Sequence, residues 1–280
     1  MGGGDGIDAT RRGWQLTMLL WGVLASLLFA ATFFNTRERI APPPRQRTRV
    51  RDDIGDLAGN RPSMVLFFLA LIIMVSIALR TTTAAYYFKY VVGRPDLLAS
   101  FLPAYMAAAA AGAALTPVLT RLADKKTLMM VLMSLTALLS AAFFFVGPEQ
   151  ITAMYALQVA LGLVLGPKSP LAFSMYADSA HYNEWRNGRR ATAITFAAAT
   201  FSQKLGTALA LAVIGAVFTK LGYVPNAAQS GGSQAGIDWL MSIIPAMFAL
   251  LAVAVMFFYN LDSARLRQVQ ADLAARKAPL

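Results

Sequence analysis

The chain has 280 residues, of which 57% are hydrophobic and 14% are charged, and its formal net charge is +11. Soluble domains carry about 25% charged residues, so this composition favours an integral membrane protein. The absence of cysteine and the single histidine, His181, exclude a disulfide framework, a thiolate metal site and a multi-histidine metal site.

Seven apolar segments are long enough, at about 20 residues or more, to cross the hydrocarbon core of a lipid bilayer. Backbone groups in lipid must be satisfied within their own segment, so the predicted fold class is all-α integral membrane. The predicted spans are Trp14–Phe34, Ser63–Val92, Leu98–Leu119, Thr127–Val146, Ile151–Ala177, Ala191–Leu221 and Asp238–Tyr259. A cleaved signal peptide is the alternative for residues 11–34, although an apolar core of about 20 residues exceeds the usual 7–15.

Lys and Arg residues are distributed unequally between the connections, with 17 on one side, including the C-terminal tail, and three on the other. The positive-inside rule therefore predicts an outer N-terminus and a cytoplasmic C-terminus. The same distribution accounts for the net charge without a nucleic-acid partner. The longest connection, residues 35–62, contains three consecutive prolines among arginines and little apolar sequence. We predict a flexible cytoplasmic linker there.

These connections divide the chain into four predicted parts. They are an outer segment with one helix at 1–34, the cytoplasmic linker at 35–62, a six-helix bundle at 63–259 and a cytoplasmic tail at 260–280. In the tail, Leu266, Val269 and Leu273 recur at helical spacing. This spacing predicts a short amphipathic helix at the membrane surface or against the cytoplasmic loops, and a solvated helical tail is the alternative.

Three cations fall within the predicted spans, where a charged side chain costs at least about 2.5–3.5 kcal/mol on insertion scales. At about 1.5 Å per residue, Lys204 lies near the bilayer midplane, Arg80 toward the outer third and Lys168 in the inner third. All fourteen acidic residues lie in connections, in tails or at the ends of predicted spans. Buried charges are normally paired, so we expect the partners of these cations to come from another polypeptide segment or from a ligand.

An aromatic cluster lies at the outer end of the second span, where Tyr86, Tyr87 and Tyr90 follow one another closely. These tyrosines form a candidate platform for sugar rings, with their hydroxyl groups as hydrogen-bond partners. An interfacial aromatic belt, which most membrane proteins have, is the alternative.

Two further patterns allow a functional and a structural interpretation. Gly162 and Gly166, followed by two prolines, suit close packing in a helix that rocks during transport, or plain helix packing. The tight turn at 121–126 places Asp124 where it favours the start of the next helix through the helix dipole. A topology signal is the alternative for this turn.

The stretch Met175–Gly206 contains Ala-Asp, then Tyr-Asn-Glu-Trp, Gly-Arg-Arg-Ala-Thr and Phe-Ser-Gln-Lys-Leu-Gly. Residues 86–93 read Tyr-Tyr-Phe-Lys-Tyr-Val-Val-Gly, and residues 36–39 read Thr-Arg-Glu-Arg. This combination resembles the glycoside–pentoside–hexuronide:cation symporter family, the melibiose-carrier relatives within the major facilitator superfamily. The resemblance covers essentially the whole chain, which would correspond to the sixth helix onward of a twelve-helix fold.

The resemblance implies roles for individual residues. Lys204 matches the family lysine of the sugar and cation region, and Asp178 matches the acidic residue at the cytoplasmic end of the tenth helix. The family usually has a second Asp where this chain has His181, and often Gly where it has Asn183. The predicted substrate-binding residues are Lys204, Arg80, Tyr86, Tyr87, Tyr90 and Gln203. The predicted gating or coupling residues are Asp178, Lys168, Asp124 and Arg121.

The predicted function is symport of a sugar or glycoside with H⁺ or Na⁺ across a bacterial cytoplasmic membrane, without a metal or organic cofactor. By resemblance, carboxylates in the family's first five helices bind most of the coupling cation. We therefore expect an N-terminally truncated chain whose partner is the missing helical bundle. One alternative is a seven-span receptor, although a retinal-type lysine belongs in the seventh span and Lys204 is in the sixth. An intramembrane enzyme lacks a nucleophile–base or metal constellation in this sequence.

Overall fold

The computed structural model describes the backbone of residues 4–36, 50–188 and 192–277. The chain divides into two units, Met1–Thr48 and Arg49–Leu280. The described part of the first unit contains one helix, α1 (Gly4–Asn35), whose described side chains are exposed. The helices of the second unit are α2 (Val50–Gly59), α3 (Arg61–Tyr90), α4 (Leu98–Ala114), α5 (Thr116–Leu122), α6 (Lys125–Phe143), α7 (Ile151–Leu165), α8 (Lys168–Asn187), α9 (Thr192–Lys220), α10 (Gly231–Met241), α11 (Ile243–Phe257) and α12 (Ser263–Lys277).

Within the described ranges, seven helical segments are long and apolar enough to cross a membrane, which confirms the predicted number of spans. Their bounds are Arg11–Asn35, Arg61–Tyr90, Pro95–Ala114, Lys125–Phe143, Ile151–Asn187, Thr192–Lys220 and Gly231–Phe257. The fifth span runs ten residues beyond its predicted end at Ala177, because α8 continues through a polar sequence. The seventh begins at Gly231, seven residues before its predicted start, because Ser230 caps α10.

The predicted linker at 35–62 is in part helical. The helix α2 occupies ten of its residues, so the prediction of a flexible segment is wrong for Val50–Gly59. Residues 37–49 lie outside the part of the chain that the structure describes. The end of α2 is fixed to the bundle because the Arg186 guanidinium donates to the Gly59 carbonyl (2.6 Å).

The helix α3 is the central helix of the second unit and packs against α8, α9, α10 and α11. Asn60 caps it by accepting a hydrogen bond from the Ser63 amide (3.3 Å), and Pro62 occupies its first turn. Both features agree with the preferences for Asn at the cap and proline in the first turn. The buried apolar side chains of α3 include Leu66, Leu69, Ile73, Val75 and Leu79.

Two of the spans contain two helices that meet at a break, between α7 and α8 at Gly166-Pro167 and between α10 and α11 at Ser242. A further break at Leu115 separates α4, which ends the third span, from α5. Proline has no N–H and leaves the carbonyl four residues earlier without its helical donor. For Pro245 that carbonyl belongs to Met241, and an Arg80 guanidinium nitrogen donates to it (2.8 Å). The Arg80 guanidinium of α3 therefore replaces the missing helical donor to the Met241 carbonyl, at the break in the seventh span.

Glycine allows α4 and α7 to approach each other very closely. A Cβ added at Gly162 would lie 2.6 Å from the Tyr105 carbonyl oxygen and 2.7 Å from the Ala108 Cβ. A Cβ at Gly166 would lie 2.6 Å from the Ala113 amide nitrogen. These distances are shorter than van der Waals contact, so the structure confirms that the two glycines serve close packing.

The C-terminal helix α12 packs against α8. Val269 and Leu273, two of the three apolar residues at helical spacing, are buried there. The indole Nε1–H of Trp185 donates to the Asp272 carboxylate (2.8 Å), which links the polar end of α8 to the tail. Of the two interpretations of the tail, packing against the bundle is therefore the one that the structure supports.

Candidate functional site

A small cavity lies between α3, α4, α6 and α7, and we call it the Arg80 cavity. Its polar lining residues are Ser76, Arg80, Thr81, Tyr105, Thr136, Ser140 and Gln158. Burying guanidinium, amide and hydroxyl groups in an apolar bundle is costly unless they have partners. Their convergence at one concave place makes it a candidate binding site.

The Arg80 side chain is only 6% exposed and contacts three other helices. One terminal nitrogen donates to the Met241 carbonyl at the end of α10, and the other donates to the side-chain oxygen of Gln158 on α7 (3.0 Å). The guanidinium carbon lies 4.6 Å from the ring centroid of Phe143 on α6. The Nε–H has no hydrogen-bond partner among the described residues. All of these contacts are with electrically neutral groups.

None of the three intramembrane cations pairs with a carboxylate in the part of the chain that the structure describes. The ion pairs found there are Arg94–Asp96 and Lys125–Asp178. The charge of Arg80 is offset only in part, by the partial negative charge at the C-terminal end of α10 and by the face of the Phe143 ring. The expected lack of partners thus holds, within the described ranges, for Arg80, Lys168 and Lys204.

A second cavity lies between α3, α8 and α9, and we call it the Lys168 cavity. Its polar lining residues are Lys168, Ser169, Tyr176 and Gln203, and its apolar lining residues come from α3 and α8. The side chains of Tyr176 and Gln203 are within hydrogen-bonding reach of each other. Lys168 is the first residue of α8, where the helix dipole disfavours a cation. A hydrogen-bond acceptor or an anion in this cavity would offset the repulsion between the Lys168 ammonium and the N-terminal end of the α8 dipole.

Both cavities lie along one face of α3. Ala70 and Ile73 line the Lys168 cavity, and Ile77 and Arg80 line the Arg80 cavity. Spacings of three, four and three residues keep these side chains on one side of a helix with 3.6 residues per turn. We call this side, with its two cavities, the α3 cavity face. It brings together three of the predicted site residues, Arg80, Lys168 and Gln203.

Lys204 is exposed, so the prediction that it is buried is wrong for the described part of the chain. The helix α9 buries small residues, including Ser202 and Gly206, against α3. Each residue advances the helix by about 100°, so a side chain two positions from Ser202 points away from α3. Lys204 therefore follows Gln203 directly in sequence but does not line either cavity.

The three predicted platform tyrosines lie in aromatic packing and do not line the α3 cavity face. Tyr87 is buried and its ring contacts that of Phe143 (centroids 5.6 Å apart). It therefore packs against the same ring that the Arg80 guanidinium contacts. Tyr86 and Tyr90 both contact the ring of Tyr223, in the connection after α9. Burial and the hydrogen bond with Tyr90 raise the pKa of Tyr223.

Three of the four predicted gating residues lie at the opposite end of the bundle from the aromatic cluster, whereas the fourth, Lys168, lines the Lys168 cavity. Asp178 on α8 forms an ion pair with Lys125 at the start of α6 (2.5 Å). Asp124 caps α6 by accepting from the Lys126 amide (3.1 Å), which confirms that it favours the start of this helix. Arg121 is an exposed residue in the last turn of α5. Asp178 and Asp124 thus both interact with the N-terminus of α6.

Acidic residues do occur inside the candidate spans, contrary to the expectation from the sequence. Those within the bounds of the spans are Asp96, Asp178, Glu184 and Asp238. Asp238 lies seven residues into α10 and is half-buried, because α10 starts earlier than predicted. Asp178 lies inside the fifth span because α8 continues beyond this residue to Asn187.

Sequence analysis missed Gln158, Tyr105 and Tyr176, which line the two cavities. In the spans, the cost of burying a polar group was applied only to the charged residues Arg80, Lys168 and Lys204. An amide in the middle of the apolar helix Ile151–Leu165 carries a similar signal, since it also needs a hydrogen-bond partner in lipid. Gln158 could have been found by that criterion.

Comparison with known proteins gives concordant matches over nearly the whole chain. The family model described as MFS/sugar transport protein matches residues 1–263. The inner membrane symporter YicJ of Escherichia coli (strain K12) is 31% identical over 274 residues, which are 97% of this chain and 59% of YicJ. The isoprimeverose transporter of Lactiplantibacillus pentosus is 28% identical over 282 residues, covering 98% of this chain and 57% of that protein. The putative glycoside/cation symporter YagG of Escherichia coli (strain K12) is 25% identical over 262 residues, with 93% and 57% coverage. The chain thus spans less than three-fifths of the length of each of these relatives.

Proposed function

Since this chain belongs to the MFS/sugar transport protein family, we propose that it forms a sugar-binding bundle of a sugar–cation symporter. The observation that carries the proposal is the α3 cavity face, where hydrogen-bonding side chains converge within helices that are otherwise apolar. A sugar needs many donors and acceptors at once, and Arg80, Gln158 and Tyr105 offer donors while the nearby hydroxyl groups offer acceptors. The names of the similar proteins are those of transporters, which favours this function over a receptor or an enzyme.

In this proposal α1 is the last helix of one bundle and the six following spans are the second bundle of a major facilitator fold. Carboxylates on helices outside this chain would complete the site and hold the coupling cation, H⁺ or Na⁺. Lys168 is partly exposed and Lys204 is exposed, so both are available to such carboxylates. Their lack of partners within the described ranges is the motive for this part of the proposal.

We further propose a bacterial cytoplasmic membrane location with a cytoplasmic C-terminus, on the distribution of Lys and Arg. The chain has no cysteine, so single introduced cysteines report orientation without interference. An impermeant maleimide should label Ala227→Cys, in the connection after α9, in intact cells. It should label Ala274→Cys, in α12, only after permeabilisation. The reverse pattern would show that the orientation is wrong.

The experiment that tests the proposed function is a titration of the purified chain in nanodiscs with mono- and disaccharides. At least one sugar should raise the thermal midpoint in a saturable way, because a ligand at ten times its Kd stabilises the folded state by about 1.4 kcal/mol. Sorbitol at equal concentration is the control for non-specific polyol effects. If every sugar behaves like sorbitol, the proposed function is wrong.

A further inference from the structure

We propose that the Arg80 cavity binds a single monatomic anion, such as chloride, as the counter-ion of the buried guanidinium. This inference goes beyond the proposed function, because the anion is held inside one bundle and is not the transported sugar. It gives Arg80 a binding role that holds whether or not a sugar is present.

The first argument is charge. Arg80 lies inside a candidate span and is almost fully buried, yet its hydrogen-bond acceptors within the described ranges are a backbone carbonyl and a neutral amide. Buried cations are normally paired with an anion. A helix end and an aromatic face compensate only part of a full charge. The cavity therefore retains a net positive charge, which a neutral water molecule cannot offset and an anion can.

The second argument is the set of hydrogen-bond donors. Gln158 turns its amide oxygen to Arg80, so its NH₂ group remains as a donor, and the Arg80 Nε–H has no partner among the described residues. The hydroxyl groups of Tyr105 on α4 and Ser140 on α6 line the same cavity. Donors from four helices thus surround one space. The other hydroxyl groups of the cavity donate to backbone carbonyls and belong to Ser76, Thr81 and Thr136.

The third argument is size. The space open to the centre of a water-sized sphere is about 20 Å³ in the Arg80 cavity, against about 90 Å³ in the Lys168 cavity. A single water needs roughly 10–15 Å³ by this measure, so the Arg80 cavity has room for one sphere somewhat larger than water. A chloride ion meets that limit, whereas a carboxylate, a phosphate or a sugar ring has too many atoms. A sugar on the α3 cavity face would therefore occupy the mouth of this cavity or the Lys168 cavity.

The fourth argument is enclosure. The cavity is lined by residues of α3, α4, α6 and α7, all from this chain, and Arg80 itself is only 6% exposed. A carboxylate on a helix of another bundle has little access to this guanidinium, in contrast to the exposed Lys204. A small diffusible ion is the kind of anion that such a site admits.

The test is a halide titration of the purified chain in nanodiscs, without sugar and at constant ionic strength. Sodium chloride or sodium bromide replaces sodium methanesulfonate, whose anion has too many atoms for the cavity. Each halide should raise the thermal midpoint in a saturable way, by roughly 3–5 °C at ten times its Kd. A midpoint that is equal in the three salts, or that rises without saturation, would show that the inference is wrong. The sugar titration is a separate measurement, so either proposal can fail alone.

Gln158→Glu is the decisive variant because it is nearly isosteric and places a carboxylate where the present acceptor lies 3.0 Å from an Arg80 nitrogen. This carboxylate takes the place of the anion as counter-ion. The halide dependence of the midpoint should therefore disappear, while the midpoint in methanesulfonate stays at or above the wild-type value. If the variant responds to halide as the wild type does, the anion binds elsewhere and the inference is wrong.

Tyr105→Phe tests the site without a change of charge, since it removes one donor and keeps the ring. The halide Kd should rise about tenfold or more, because hydrogen bonds to charged groups are the stronger ones. Arg94→Gln is the control, because Arg94 is exposed, pairs with Asp96 and lies outside the cavity. Its halide response should equal that of the wild type. An unaltered Kd in Tyr105→Phe, or an equal loss in Arg94→Gln, would contradict the proposed site.

Discussion

Gly162→Ala should lower the thermal midpoint of the purified chain by several degrees. The added Cβ would lie 2.6 Å from the Tyr105 carbonyl oxygen on α4, and a backbone atom cannot move aside as a flexible side chain can. Overpacking of a close helix interface typically costs about 1–3 kcal/mol. Because Tyr105 also lines the Arg80 cavity, sugar binding should weaken together with stability.

Gly215→Ala is the matched control for this prediction. Gly215 also lies inside a candidate span, in α9, and a Cβ added there meets nothing within 4 Å. Alanine is favoured over glycine in a helix interior by about 0.5–1 kcal/mol, so this variant should be as stable as the wild type or more stable. Equal midpoints for Gly162→Ala and Gly215→Ala would show that the close contact of α4 and α7 is not needed.

Lys204→Ala should reduce sugar binding about ten- to a hundred-fold in the complete transporter without loss of folding or membrane insertion. Lys204 lines neither cavity, so we expect it to act through the carboxylates of helices outside this chain that would complete the site. Hydrogen bonds to charged groups are worth about 1.5–3 kcal/mol each, and an ammonium can donate three of them. The side chain is exposed on α9, so its removal leaves neither a cavity nor an unsatisfied partner in the described bundle. Expression, thermal midpoint and sugar affinity should be measured on the same preparation.

Lys220→Ala is the control for Lys204→Ala, because Lys220 is also an exposed lysine of α9 but lies at the end of the helix. It changes the net charge equally and should leave sugar affinity unaltered. If Lys204→Ala binds sugar normally but fails to accumulate in the membrane, Lys204 has a structural role. Equal losses of affinity in both variants would point to a general charge effect.

The seven spans could be predicted from the sequence because the bilayer imposes a minimum apolar length on every helix that crosses it. The ends of the spans could not be predicted equally well. Apolar length gives no signal where a helix continues through polar residues, as α8 does from Asp178 to Asn187. It also gives none where a helix begins with small residues, as α10 does at Gly231.

The candidate site was only partly predictable for a related reason. The charge of Arg80 marked it as a site residue, but its acceptor Gln158 is 78 positions away and Met241 is 161 positions away. Such pairings depend on which helices become neighbours, and the sequence pattern does not contain that information. The position of Lys204 near the centre of its span was readable, whereas the face of α9 that packs on α3 was not.

Binding of sugar on the α3 cavity face should protect single cysteines placed there from alkylation. Ser169→Cys and Thr81→Cys place thiols at exposed positions of the two cavities, and Ala227→Cys is the control outside them. With a sugar at ten times its Kd, alkylation by N-ethylmaleimide should slow by roughly tenfold at one or both cavity positions, because only the unbound fraction reacts. The rate at position 227 should not change. Sugar binding by the chain with unaltered alkylation at both cavity positions would show that the sugar binds elsewhere.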